Sequence, residues 1–128
     1  MAFTSLFMPT GESTAISTSG TTQEIDPAGA LIVNLTSTTG SDAATLPAPV
    51  KFSSKVKDSN DQFIEPKVCV GQMLKLVLVV DGGSLAITTT DADGDALTLT
   101  FADANDEILL VATSSGYAVL NNSGVALS

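Results

Sequence analysis

The residues most capable of chemistry are two acidic clusters in the C-terminal third of the chain. Asp91, Asp93 and Asp95 alternate in the segment DADGD, where carboxylate oxygens could bind Ca²⁺. An EF-hand loop needs a bidentate glutamate at its twelfth position, which here is Ala102. The same letters are typical of a tight β-turn, in which Gly94 supplies a positive φ angle. The pattern therefore predicts a structural turn without bound metal.

The second cluster contains Asp103, Asp106 and Glu107, and paired carboxylates can hydrolyse glycosides. Nothing in the sequence marks a cleft or a sugar-stacking platform, since the chain has one Tyr and no Trp. It also has no His to activate a nucleophile, and its single Cys69 lies between two valines, which is typical of a small buried apolar residue. We therefore expect a protein that is not an enzyme and uses no cofactor.

Charge is distributed unevenly along the 128 residues, whose formal net charge is −9. The chain has no Arg, and all five of its lysines lie between positions 51 and 75, whereas eleven acids and no base lie outside that window. An acidic body argues against nucleic acid as a partner. The lysine window is either a solvated loop or the one place that attracts an anionic surface. No signal peptide or apolar run of about 20 residues is visible, so we expect synthesis in a reducing cytosol and no membrane partner.

Strand-like alternation between turn residues dominates the chain from residue 73 onwards. The segments MLKLVLVV and ALTLTF alternate with period two, and DGG, DADGD, ADAND, TSSG and NNSG separate successive runs. The pattern predicts an all-β fold, a compact antiparallel β-sandwich or barrel with short hairpins and an extended N-terminal arm. The predicted core contains Leu74, Leu76, Leu78, Leu97, Leu99, Phe101, Leu109 and Val119. MLKLVLVV is apolar on both faces, which predicts a central strand covered on both sides and an oligomeric protein.

Two regions follow from composition. Residues 1–29 are predicted to be an extended N-terminal arm or a first strand, and residues 30–128 a single β domain with a lysine-containing loop at 51–70. Four apolar side chains near the start, Phe3, Leu6, Phe7 and Met8, are costly to leave in water. We expect this apolar tip to dock on its own domain or on a neighbour.

The chain carries a family likeness over a little more than half its length, in the motifs ATLP (44–47), GQ (71–72), VDGG (80–83), LAIT (85–88), LTLTF (97–101) and GYAVLNNSGV (116–125). It resembles a small β module of tailed-bacteriophage structural proteins, including head decoration and fibre-like proteins. This chain departs from the pattern in two ways: its terminal hairpin carries Tyr117 and no Trp, and the segment between Pro47 and Gly71 is longer.

The resemblance implies a capsid decoration (cement) protein on the virion surface. Such a protein would be made in the host cytoplasm, form a homotrimer and bind the major capsid protein of the head. The apolar tip would anchor the protein, and the lysines would attract the acidic surface of the shell. The expected contacts with the shell or a neighbouring protomer are therefore Phe3, Leu6, Phe7, Met8, Lys51, Lys55 and Lys57. The alternative is a glycan-binding or adhesion module of a phage fibre or bacterial surface protein, for which internal repeats would be expected. A calcium-dependent adhesion domain is a third possibility.

Overall fold

A computed structural model describes residues 13–18, 23–25, 27, 31–38, 41–50 and 68–128. These residues contain ten strands and no helix. The strands are β1 (Ser13–Thr18), β2 (Gln23–Glu24), β3 (Ile32–Ser37), β4 (Ser41–Thr45), β5 (Met73–Val80), β6 (Ser84–Thr90), β7 (Ala96–Phe101), β8 (Glu107–Ala112), β9 (Tyr117–Ser123) and β10 (Ala126–Leu127).

The strands form two five-stranded sheets that pack face to face. Sheet A has the order β1-β3-β5-β8-β9, and sheet B has the order β10-β7-β6-β4-β2. Side chains alternate between the space inside the two sheets and the outside, as period-two strands require. The prediction of an all-β sandwich is confirmed, and the sheets do not close into a barrel.

The first six strands alternate between the sheets. Strands β1, β3 and β5 pair in parallel in sheet A, while β2, β4 and β6 pair in parallel in sheet B. The chain thus makes three stacked coils, each with one strand per sheet. From β6 onwards it reverses, and β7, β8, β9 and β10 all pair antiparallel. The hairpin punctuation correctly predicted the pairs β6–β7 and β8–β9. The DGG and ADAND turns instead connect strands of different sheets, and the parallel coils make both sheets mixed. The first two strands also fall inside residues 1–29, so this part of the segment forms strands of the sandwich.

Apolar side chains from both sheets fill the interior. Five of the predicted core residues are fully buried, and Leu97 packs partly buried against them. The fully buried five are Leu74, Leu76, Leu78, Leu99 and Phe101. Residues that the prediction left out complete the core, among them Ile25, Val33, Leu35, Leu46, Leu85, Ile87, Ile108, Leu110 and Tyr117.

The core assignments of Leu109 and Val119 are wrong. In EILLVA five successive residues are apolar, so alternation alone could not choose the inner face, and the structure buries Ile108 and Leu110 instead. Leu109 pairs with Lys75 on the outside of sheet A. Val119 pairs with the buried Leu110, but β9 is an edge strand, so Val119 remains 38% exposed.

Candidate functional site

Two segments outside the described residues, 1–12 and 51–67, join the sandwich at the same end. Here it is called the proximal end, the end that holds Ser13, Val50 and the turns at 91–95 and 113–116. Strand β1 begins there, because Ser13 pairs with Ile32, which in turn pairs with Lys75 near the start of β5. The backbone N–H of Gly71 donates to the carbonyl of Ala112 at 2.8 Å, which places the start of β5 beside the end of β8.

Residues 51–67 leave and rejoin the sandwich at the same end through a closed base. Val50 forms a β-bridge with Cys69. The backbone N–H of Val50 donates to the carbonyl of Val68 at 2.9 Å, and that of Val70 donates to the carbonyl of Val50 at 3.0 Å. Val50 and Val68, the described residues that flank 51–67, are therefore held close together.

The predicted contact residues all lie outside the described residues. They are Phe3, Leu6, Phe7, Met8, Lys51, Lys55 and Lys57. What the structure adds is the location of their attachment points. The first four precede Ser13, where β1 starts, and the three lysines follow Val50. Ser13 and Val50 are both at the proximal end. The segment before Ser13, here called the apolar arm, and the segment after Val50, here called the lysine segment, therefore join the sandwich on the same side.

Tyr117 connects the two sheets at the proximal end. Its side chain is buried, and its hydroxyl donates to the carbonyl oxygen of Pro47 at 2.7 Å. Burial raises the pKa of Tyr117 far above its ordinary range, so the phenol stays protonated and serves as a hydrogen-bond donor.

Cys69 is buried as expected, and burial also raises the pKa of its thiol, which disfavours the nucleophilic thiolate.

The DADGD segment forms the turn between β6 and β7. The Asp91 carboxylate accepts hydrogen bonds from the backbone N–H groups of Asp93 and Asp95, each at 2.9 Å. Gly94 has a φ of 86°, the positive value that the sequence required. Within the described ranges no three acidic, His or Cys side chains are grouped closely enough to hold a metal ion.

We predict that Asp91→Ala lowers the free energy of unfolding by about 1 kcal/mol, because two turn N–H groups lose their acceptor to water. The loss should be the same with EDTA or with 1 mM Ca²⁺, measured by urea unfolding. Asp93→Ala is the matched control and should have little effect, since it removes a carboxylate but no hydrogen bond that closes the turn. A stabilisation of the wild-type protein by Ca²⁺ that Asp91→Ala abolishes would contradict the structural assignment.

The second acidic cluster is divided between two structural tasks. The Asp106 carboxylate accepts from the backbone N–H groups of Ala102 and Asp103, each at 3.0 Å, and so closes the turn between β7 and β8. Glu107 instead forms an ion pair with Lys75 at 3.2 Å across β8 and β5. The two neighbouring carboxylates therefore have different partners, a turn backbone for Asp106 and a lysine for Glu107.

The structure shows two apolar surface features, of which sequence reasoning missed the first. A shallow apolar groove on the sheet B side of the sandwich is lined by residues 45–48 and 88–90, none of which is titratable. The outside of sheet A also presents apolar residues, including the exposed Met73 and Val79. The second feature had a signal in the sequence, the apolar character of both faces of MLKLVLVV, from which a covered central strand was expected.

No protein-family model matches the chain, and no curated protein matches it. Among the described residues no helix is long and apolar enough to cross a bilayer.

Proposed function

We propose that this protein is a decoration (cement) protein of a tailed-bacteriophage head. It binds the major capsid protein, sits on the capsid surface and stabilises the virion without catalysis. The observation that carries the proposal is that the apolar arm and the lysine segment join the sandwich at the same end. A protein attached to a shell needs its anchoring segments on one side, with a rigid body behind them.

The two segments have different tasks in this proposal. The apolar tip, Phe3, Leu6, Phe7 and Met8, supplies retention, because each buried apolar side chain contributes roughly 1.5–3 kcal/mol. Lysines in the window attract an acidic shell surface, but an exposed ion pair contributes only about 0–1 kcal/mol. Self-association into a homotrimer multiplies these contacts, because the second and third arms bind at high effective concentration.

Deleting residues 2–8 is the direct test. We expect the truncated protein to stay folded by circular dichroism and to be lost from purified particles, measured as copies per major capsid protein by quantitative mass spectrometry. The matched control replaces Thr4 and Ser5, polar residues of the same segment, by alanine and should coat particles at full occupancy. Charge reversal of Lys51, Lys55 and Lys57 should instead slow association and change its dependence on salt. Full occupancy by the truncated protein would contradict the role of the arm.

The stacked parallel coils favour the alternative in one respect. Strands β1 to β6 repeat a two-strand unit along the sheets, an arrangement shared with quasi-one-dimensional repeat proteins. The second candidate is therefore an adhesion or glycan-binding module of a fibre or surface protein. Immunogold labelling of virions separates the two: label over the head supports the decoration role, and label confined to a fibre supports the module.

A further inference from the structure

The outer face of sheet A is an apolar surface that no described residue covers. It is defined here by Ile32, Met73, Val77, Val79, Leu109 and Val111. The strand register shows that these side chains share one face, because residues paired across neighbouring strands point to the same side of a sheet. Ile32 and Leu109 both pair with Lys75, and Met73 pairs with Val111. Met73 is 41% exposed and Val79 is 43% exposed, while their neighbours on β5 alternate into the core. Apolar side chains on adjacent strands thus form one continuous patch around the sheet centre.

Charge on this face is balanced, in contrast to the rest of the molecule. On the described strands β3, β5 and β8 its only charged side chains are Lys75 and Glu107, which form the 3.2 Å ion pair. Six described carboxylates lie instead in turns at the sandwich ends: Asp81, Asp91, Asp93, Asp95, Asp103 and Asp106. The border at β9 is also uncharged, since no charged residue follows Glu107 in the sequence.

We propose that the outer face of sheet A is the surface through which copies of this chain bind one another. Each chain has a formal charge of −9, so two copies repel through any acidic surface and approach most easily through a neutral one. The face is also complementary to itself, because it carries one cation and one anion in an apolar surround. Lys75 of one copy can meet Glu107 of the next while the apolar side chains leave water. The inference deepens the self-association within the proposed function, but it does not depend on the head shell.

The first experiment places a charge on the face. Met73→Lys and Val79→Lys should each raise the dissociation constant for self-association about 10-fold or more, measured by sedimentation velocity across a dilution series, since each buries an unpaired charge in the contact. Both variants lower the net negative charge, so general repulsion cannot explain a weaker assembly. Ser84→Lys and Thr88→Lys make the same charge change at exposed positions of β6 in sheet B. These controls should change the constant by less than about 2-fold.

The second experiment tests the charge pair between copies. Lys75→Glu leaves two anions on the face and Glu107→Lys leaves two cations, so each variant alone should self-associate at least about 10-fold more weakly. An equimolar mixture of the two should associate again, because the anionic face of one variant complements the cationic face of the other. Restoration only in the mixture identifies a contact between chains, as the pair within each chain stays broken.

Three outcomes would overturn the inference. They are a wild-type protein that sediments as a monomer at 100 µM, equal weakening by the sheet B controls, and a mixture that stays dissociated. A monomer is also the outcome expected if another part of the same chain covers the face. All measurements use the isolated protein, so they separate this inference from the proposed function. A protein that assembles through this face but never coats heads overturns only the decoration role.

Discussion

Gly82→Ala is expected to lower the free energy of unfolding by about 3 kcal/mol or more, one of the largest effects of any single methyl group in this chain. A Cβ at position 82 would overlap the carbonyl oxygen of Ser37 and lie 2.9 Å from the carbonyl carbon of Ser37 and the Cα of Thr38. All three are backbone atoms of the preceding coil, so no side chain can rotate to relieve the overlap.

The hydrogen bonds at this corner make the contact difficult to relax. The buried hydroxyl of Ser37 donates to the carbonyl of Gly83 at 2.8 Å and accepts from the backbone N–H of Gly82 at 2.8 Å. Moving the 81–83 turn away from Ser37 would break both bonds. The second and third coils would then separate at the connections from β3 to β4 and from β5 to β6, where the chain crosses from sheet A to sheet B.

Urea unfolding of Gly82→Ala measures the effect, with Gly94→Ala as the control. Gly94 has a positive φ of 86°, but a Cβ there would have only the Ser115 side chain near it, at 3.9 Å. That control should lose only the roughly 1–2 kcal/mol of a left-handed conformation. Equal losses of unfolding free energy in the two variants would contradict this prediction. They would mean that the 81–83 turn can move away from Ser37 at little cost, so that stacking of the coils does not depend on their close approach at Gly82.

The part of the fold that the sequence predicted is the part built from neighbouring hairpins. Strands β7 and β8 match the predicted runs because each has a partner one turn away, β6 and β9, and turn residues mark the boundaries. Strand β5 also matches its predicted run, although its partners β3 and β8 are distant in the sequence. The parallel pairs were not predicted, since Ile32 and Lys75 are paired across 43 positions with the 51–67 segment between them. A signal did exist: G-S-x-A-x-T occurs at 40–45 and 83–88, and the structure pairs Ser41 with Ser84 and Thr45 with Thr88.

The sequence could predict which residues belong to the candidate site, but not where they lie on the fold. The sequence identified an apolar arm and a lysine window, but it could not indicate that both join one end of the sandwich, because that depends on the parallel direction of β1 and β5. It also could not choose which face of EILLVA is buried. Leu109 was placed in the core, yet its outward position next to Lys75 makes it part of the apolar outer face of sheet A.

Tyr117 is expected to make the protein sensitive to alkali. Its pKa in the folded protein is raised by burial, whereas in the unfolded chain it returns to about 10. Above pH 10 the unfolded chain releases this proton and the folded protein retains it, so stability falls with rising pH. The slope for one such group is about 1.4 kcal/mol per pH unit. Stability that depends on the protonated phenol is fully present below pH 10.

The single tyrosine of the chain makes this measurement direct. Between pH 10 and 12 we expect tyrosinate absorbance to appear together with the loss of the β-sheet circular dichroism signal, and not before it. Tyr117→Phe removes the hydrogen bond to Pro47 and should cost about 1 kcal/mol at pH 7. The same variant should lose stability less steeply above pH 10, where the buried Cys69 thiol, whose pKa burial also raises, still contributes to the slope. Tyrosinate forming near pH 10 in a protein that is still folded would show that the phenol is accessible and that Tyr117 does not hold the two sheets together.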